Sequence, residues 1–221
     1  MRENFVAIPY EINSEIAELI GAHIGDGNSH VRKSDYRLII TCDAKKDKEY
    51  VALLADLFYK NFKIKPKVYI RSRNNSITLV VRSKKLHKYY TEKLDMPVGR
   101  KTNIDIPSYI LAKNAFLIAC IRGIFDTDGS ISIQKMGKYE YPFIAISTTS
   151  ENLAKTLIQQ LKILGLKPFI SITRPGKNNR KLTEFSVRVK GFDEVIKWKE
   201  IIGSNNPRNS LKLNKVAHGQ S

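Results

Sequence analysis

Small residues recur at every fourth position in two segments of the chain that lie 102 residues apart. Ala17, Gly21 and Gly25 form one stripe, and Ala119, Gly123 and Thr127 form the other. Positions four apart share a helix face. The spacing therefore predicts two helices, Ser14 to Asp26 and Lys113 to Asp128, each with a stripe where another backbone can come very close. Ile16, Leu19, Ile20 and Ile24 flank the first stripe, and Phe116, Leu117, Ile121 and Ile124 the second; these should face the core of their own half. His23 aligns with Phe125 and reads as a packed core histidine rather than a ligand. A glycine inside a helix costs roughly 1 kcal/mol against alanine, so two matching stripes argue for close packing over mere tolerance.

After each helix the apolar period shortens to two, which predicts strands with one wet face. Asn28 to Arg32 and Ser130 to Gln134 come first, followed by Tyr36 to Thr41 and Phe143 to Ser147. Amphipathic helices should span Lys48 to Phe62 and Glu151 to Leu164. Hairpins then run from Val68 to Arg82 and from Phe169 to Lys190, with polar tips at Arg73 to Ser76 and Pro175 to Arg180. Helices from Lys84 to Leu94 and from Phe192 to Ile202 close the two copies. Lys65 and Pro66 recur as Lys167 and Pro168, again 102 residues on. The chain is thus written twice as αββαββα, and a repeat on this scale decides the architecture. We expect an α+β fold with a pseudo-two-fold axis and two antiparallel sheets. The halves are residues 1–100 and 101–221, joined by a polar linker from Met96 to Pro107.

The strand phases assign the sheet faces. In the first half the wet face should carry Asn28, His30, Arg32, Arg37, Lys67, Tyr69, Arg71, Arg73, Thr78 and Arg82. In the second it should carry Ser130, Ser132, Gln134, Ser171, Thr173, Arg174, Ser186 and Arg188, with Arg180 in the hairpin tip. Ile70, Ile77, Leu79, Val81, Ile131, Ile133, Ile170, Ile172, Phe185, Val187 and Val189 are the expected dry partners. A single exposed arginine or serine means little. As a set, these side chains can hydrogen-bond base edges and phosphates, and a two-stranded ribbon fits the major groove.

Charge strengthens that reading. Lys and Arg number 38 against 21 Asp and Glu, a formal net charge of +17. The positive field this creates collects polyanions. The basic residues are spread along the chain instead of forming one tail or amphipathic stripe, which favours nucleic acid over a membrane surface. No apolar run approaches the ~20 residues of a membrane helix. The first residues form no secretory segment, so a soluble, cytoplasmic protein is expected. Cys42 and Cys120 stand alone, which argues against zinc and implies no disulfide.

Each stripe helix ends in an acid followed by glycine: residues 19–27 read LIGAHIGDG and residues 121–129 read IRGIFDTDG. Asp26 and Asp128 would then sit at helix C-termini, where the macrodipole disfavours an anion. Pressed together by the helix pair they repel further, so they need a cation or a proton. Mg²⁺ suits them, since it takes oxygen ligands, keeps several waters and accepts phosphate oxygens. An Asp before a Gly can also be a plain turn-former, but two equivalent copies at a helix interface favour catalysis.

The two nonapeptides resemble the signature of the LAGLIDADG homing endonucleases in their single-chain, two-motif form. The resemblance extends from about Pro9 to Asn209, and the first motif looks most like archaeal, intron-encoded members. It implies a saddle-shaped monomer that straddles a long double-stranded DNA site and cuts both strands across the minor groove. Mg²⁺ would be held by the position-eight acids, Asp26 and Asp128, with the preceding residues Gly25 and Thr127 completing the metal set. Mn²⁺ should substitute, and Ca²⁺ should bind without supporting cleavage.

Two departures stand out. Motif position six, often Asp, is Asp126 in the second copy but Ile24 in the first, so Asp126 reads as structural or supporting. Members also commonly place Gln or Lys near the end of the second strand of each half. Residues 41–43 and 147–149 hold no lysine here, which leaves Lys45, Lys46, Lys135 or Lys138 to reach in. The alternatives to a nuclease are an RNA-binding maturase for a host intron and a DNA-binding module without catalysis. An intein is disfavoured, because the termini carry no splicing nucleophile or His-Asn pair.

Overall fold

A computed structural model describes residues 6–99, 101, 103–137, 139–176 and 181–217. Arg180 and Lys138 lie outside the described residues. The first half contains α1 (Ser14–Asp26), β1 (Gly27–Arg32), β2 (Asp35–Asp43), α2 (Lys48–Phe62), β3 (Lys67–Arg71), β4 (Ser76–Arg82) and α3 (Lys84–Lys88). A π-helical turn, Tyr89–Lys93, continues α3, so the helix expected to Leu94 changes its winding before it ends. The second half opens with a short α4 (Ser108–Leu111) and continues with α5 (Asn114–Asp128), β5 (Gly129–Met136), β6 (Tyr139–Thr148) and α6 (Glu151–Ile163). It closes with β7 (Phe169–Thr173), β8 (Glu184–Lys190), α7 (Phe192–Ile201) and α8 (Pro207–Ala217). Neither α4 nor α8 is legible in the repeat pattern.

The two sheets are antiparallel and share one topology, β1-β2-β4-β3 and β5-β6-β8-β7. The fold is therefore the expected α+β duplication, with one sheet per half. α1 starts where the sequence predicts, because the Asn13 side chain accepts the Ile16 N–H at 2.9 Å and caps the first turn. α2 and α6 end at equivalent positions. Lys63 adopts φ 57° after α2, and Gly165 adopts φ 85° just past α6, so a residue with a Cβ does in one half what glycine does in the other.

α1 and α5 pack along their small-residue stripes. A methyl group added at Gly21 would lie 2.0 Å from the Cys120 carbonyl oxygen. One added at Gly123 would lie 2.2 Å from the Glu18 carbonyl oxygen and 2.7 Å from the Ala22 nitrogen. Backbone meets backbone here, a distance that no side chain allows. Ile16, Leu19, Ile20, Leu117, Ile121 and Ile124 fill the flanking faces, each almost wholly buried.

The dry faces need one correction. Ile77, Leu79, Val81, Ile131, Val187 and Val189 are buried as expected. Ile70, Ile133, Ile170 and Ile172 lie on the helix side of their sheets but are 59%, 39%, 39% and 54% exposed. β3, β5 and β7 are edge strands, and the helix layer leaves much of them uncovered. Alternation fixes which face a side chain takes but not whether anything covers it.

Candidate active site

α1 and α5 bring Asp26 and Asp128 to the same end of the helix pair, both half-buried. Gly25 touches the opposite motif directly. A Cβ built there would lie 2.0 Å from Thr127 Oγ1 and 3.3 Å from Asp128 Oδ2. Burial, helped by the neighbouring Asp26 and opposed by Lys101, pushes the Asp128 carboxyl up to about 7. Burial likewise raises Asp26 to about 6; Lys101 and Arg208 pull it down while Asp47 pushes it up.

Lys101, from the linker, is a cation whose charge acts on both carboxylates. Its Nζ donates to the carbonyls of His23 at 3.2 Å, Ile24 at 2.8 Å and Gly25, the last oxygens of α1. Sequence reasoning missed it, since a lysine in an aperiodic linker carries no positional signal. Of the lysines expected to assist, Lys45, Lys46 and Lys135 are described, and all three are exposed. Lys45 and Lys46 are exposed beside Asp43, which accepts their backbone N–H groups at 2.9 Å. Lys135 pairs with Glu140 at 2.9 Å.

Behind the carboxylates lies a buried polar network. Asp126 accepts from the Ser204 hydroxyl and from the backbone N–H groups of Asn205 (2.7 Å) and Asn206 (3.1 Å). Burial nevertheless raises its carboxyl to about 6. Asp126 is thus an anchor for the segment before α8, in keeping with a structural role. Asn205 donates to both oxygens of Glu18 at 2.8 Å, and Arg122 stands 3.5 Å from the same group. Asn206 donates to Asp47 at 2.8 Å, and Arg208 pairs with Asp47 at 3.3 Å. The end of the second half is therefore bonded to the start of α2 in the first. His23 is buried, lies 3.2 Å from the Ser29 hydroxyl and packs edge-on against Tyr90, and burial pushes its pKa down to about 3.

The strand registers set each candidate contact on a face. In the first sheet, Asn28, His30, Arg32, Arg37, Thr78, Arg82, Lys67, Tyr69 and Arg71 share the face opposite the helices, and Arg73 stands exposed in the β3–β4 turn. Arg37 and Arg82 both pair with Asp35, and Arg82 also donates to the Tyr69 hydroxyl at 3.2 Å. In the second sheet, Ser130, Ser132, Gln134, Ser171, Thr173, Ser186 and Arg188 share the equivalent face, with Arg174 exposed just past β7. Ser186 is on this face but buried, beneath the Arg188 guanidinium that donates to it at 3.0 Å. β6 is longer than predicted, and its extra residues add Tyr141 beside Lys190, whose Nζ lies 5.1 Å from the ring.

Among the described residues no three His, Cys, Asp or Glu side chains gather around a possible metal position. What the helix ends offer is two carboxylates and the carbonyls of Gly25 and Thr127. That oxygen set fits a hydrated ion that keeps open positions, and it lacks the nitrogen and sulfur donors of a structural zinc site.

The family model of the LAGLIDADG-like domain matches residues 115–203. The replication factor C small subunit of Methanocaldococcus jannaschii is 26% identical over 206 residues, which cover 93% of this chain and 10% of that protein. The uncharacterized protein MJ0314 of the same organism is 24% identical over 173 residues, 76% of this chain and 60% of the relative. This chain thus spans only part of the length of both curated relatives. Among solved structures, I-DmoI in complex with DNA and Mn superposes with a TM-score of 0.61 at 22% identity, covering 87% of this chain and 97% of the other. The LAGLIDADG meganuclease I-AabMI, bound to uncleaved DNA, gives 0.60 at 15% identity, covering 95% and 90%. The LAGLIDADG-like domain is thus matched within the second half, and the fold of the whole chain is similar to that of I-DmoI and the LAGLIDADG meganuclease I-AabMI.

Proposed function

We propose that this chain is a site-specific double-strand DNA endonuclease of the homing type, which hydrolyses phosphodiester bonds with Mg²⁺ held by Asp26 and Asp128. The observation that carries the reading is the half-buried carboxylate pair at the C-terminal ends of α1 and α5. Two acids in that position are disfavoured by the helix dipoles, by burial and by each other. A divalent cation relieves all three. Asp26, Asp128 and the carbonyls of Gly25 and Thr127 would hold it, leaving positions for water and phosphate. When bound, such an ion lowers the pKa of an attacking water and stabilises the leaving oxygen.

The chain's own groups do the rest. Lys67, Arg71 and Arg73 bind phosphates and fix the register of the duplex. Asn28, Gln134, Ser132 and Thr173 meet base edges, where sequence is read. The close α1–α5 contact holds the two acids in one geometry. The likeness in fold to the homing endonuclease I-DmoI, solved with DNA and with Mn or Ca, supports the reading. Since one chain supplies both halves, residues 1–100 and 101–221, it acts as a monomer.

Cleavage of a randomised duplex library with Mg²⁺, set against Ca²⁺, tests the proposal. Cuts at one long motif with Mg²⁺, and none with Ca²⁺, are expected. Binding to RNA alone, without cleavage of any duplex, would move the case to a maturase.

A further inference from the structure

Lys101 crosses from the linker to the C-terminal end of α1, where its ammonium meets the carbonyls of His23, Ile24 and Gly25. A cation is stabilised at the negative end of a helix. It also lies in the field of both carboxylates, which hold its proton against the effect of burial. The matching end of α5 is treated differently. There the carbonyls of Phe125 and Asp126 receive neutral amides, from Asn209 at 3.5 Å and Asn206 at 3.0 Å. The pseudo-two-fold axis is therefore broken by one full positive charge. One of the oxygens that Lys101 takes is the Gly25 carbonyl, next to Asp26, which the proposed ion would also use.

We propose that Lys101 is a tethered placeholder: without metal its ammonium occupies the cation position beside Asp26, and it must withdraw before a divalent ion can enter. The flexible four-carbon stem of lysine permits that withdrawal. The inference rests on the nuclease reading of the site. To it the inference adds that the free protein discriminates against metal. Lys101 thus acts by competing with the ion for the Gly25 carbonyl.

Calorimetric titration of the full chain with Ca²⁺, without DNA, provides the test. Lys101→Met removes the competing charge and should tighten Ca²⁺ binding roughly tenfold or more. Lys101→Arg keeps the charge and should bind as the wild type does. If Lys101→Met does not fold, Lys101→Gln replaces it. Unchanged or weaker binding in the uncharged variant overturns the proposal, as does equal tightening in both variants, which would make space rather than charge the cause. Asp26→Asn separates this failure from that of the site itself. If it abolishes Ca²⁺ binding while Lys101→Met changes nothing, only the placeholder falls. If Ca²⁺ binding ignores Asp26 and Mg²⁺ supports no cleavage, both readings fall.

Discussion

Gly21 lies so close to Cys120 that a single methyl group on it would reach within 2.0 Å of the Cys120 carbonyl oxygen. The obstacle is backbone, which cannot rotate aside. Gly21→Ala should therefore force α1 and α5 apart and destabilise the protein by about 2–4 kcal/mol. Gly123→Ala should do the same. Denaturant unfolding measures both, and a loss below about 0.5 kcal/mol would mean that the helices slide past each other easily.

Replacing Asp26 or Asp128 by Asn keeps the shape and removes one negative charge. Each variant should lose double-strand cleavage while binding target DNA with nearly unchanged affinity, as read by gel shift in Ca²⁺. Retained cleavage in either one contradicts the assigned role.

The raised carboxyls make stability depend on pH. Asp26 and Asp128 titrate at about 6 and about 7 when folded. The folded state therefore holds these protons more tightly than the unfolded chain does. The stabilisation this provides is complete below about pH 4 and lost above about pH 7, at no more than about 1.4 kcal/mol per pH unit for each group. In EDTA, the melting temperature of Asp26→Asn/Asp128→Asn should exceed that of the wild type by a margin that widens from pH 5 to pH 7.5. Mg²⁺ at the upper end should narrow it. His23, held neutral by burial, has the opposite sign and cancels in the comparison because both proteins contain it.

Lys63 adopts a left-handed backbone at φ 57°, in the place that Gly165 takes at φ 85° after α6. Lys63→Gly should stabilise the protein by about 0.5–1 kcal/mol, relief of the Cβ clash outweighing the extra freedom of the unfolded chain. A lower melting temperature would show that the Lys63 contact with the Lys60 carbonyl at 3.2 Å contributes more than the strain costs.

Binding should be steeply salt-dependent. Each neutralised phosphate contributes about −0.9 to the slope of log K against log salt. Arg71→Ala should make that slope shallower by about 1 without altering which duplex is preferred. An unchanged slope would mean that β3 does not meet the backbone.

The repeat made most of the fold legible. α1 runs from Ser14 to Asp26 and both sheets form because period-four and period-two patterns are local, and the 102-residue offset let each copy check the other. Asp26 and Asp128 were visible for the same reason. Lys101 was not, since its partners are carbonyls 76 to 78 residues away and no period connects a linker to a helix end. The network of Glu18, Asp126, Asn205 and Asn206 was equally hidden, as α8 has no counterpart in the first half to reveal it. Ile70 and Ile172 show the remaining gap: the pattern gave them a face, while exposure depended on how far the helix layer extends.

Asn206 and Arg208, near the end of the chain, complete the polar surroundings of Asp47 at the start of α2. Severing the polypeptide between its two copies would therefore not restore a self-sufficient ancestral unit. The amino-terminal piece would be left with a buried acid lacking its partners, and neither fragment could simply pair with itself. Duplication here has become interdependence, and any attempt to recombine halves from different relatives must carry residues 204–208 along with the half they serve.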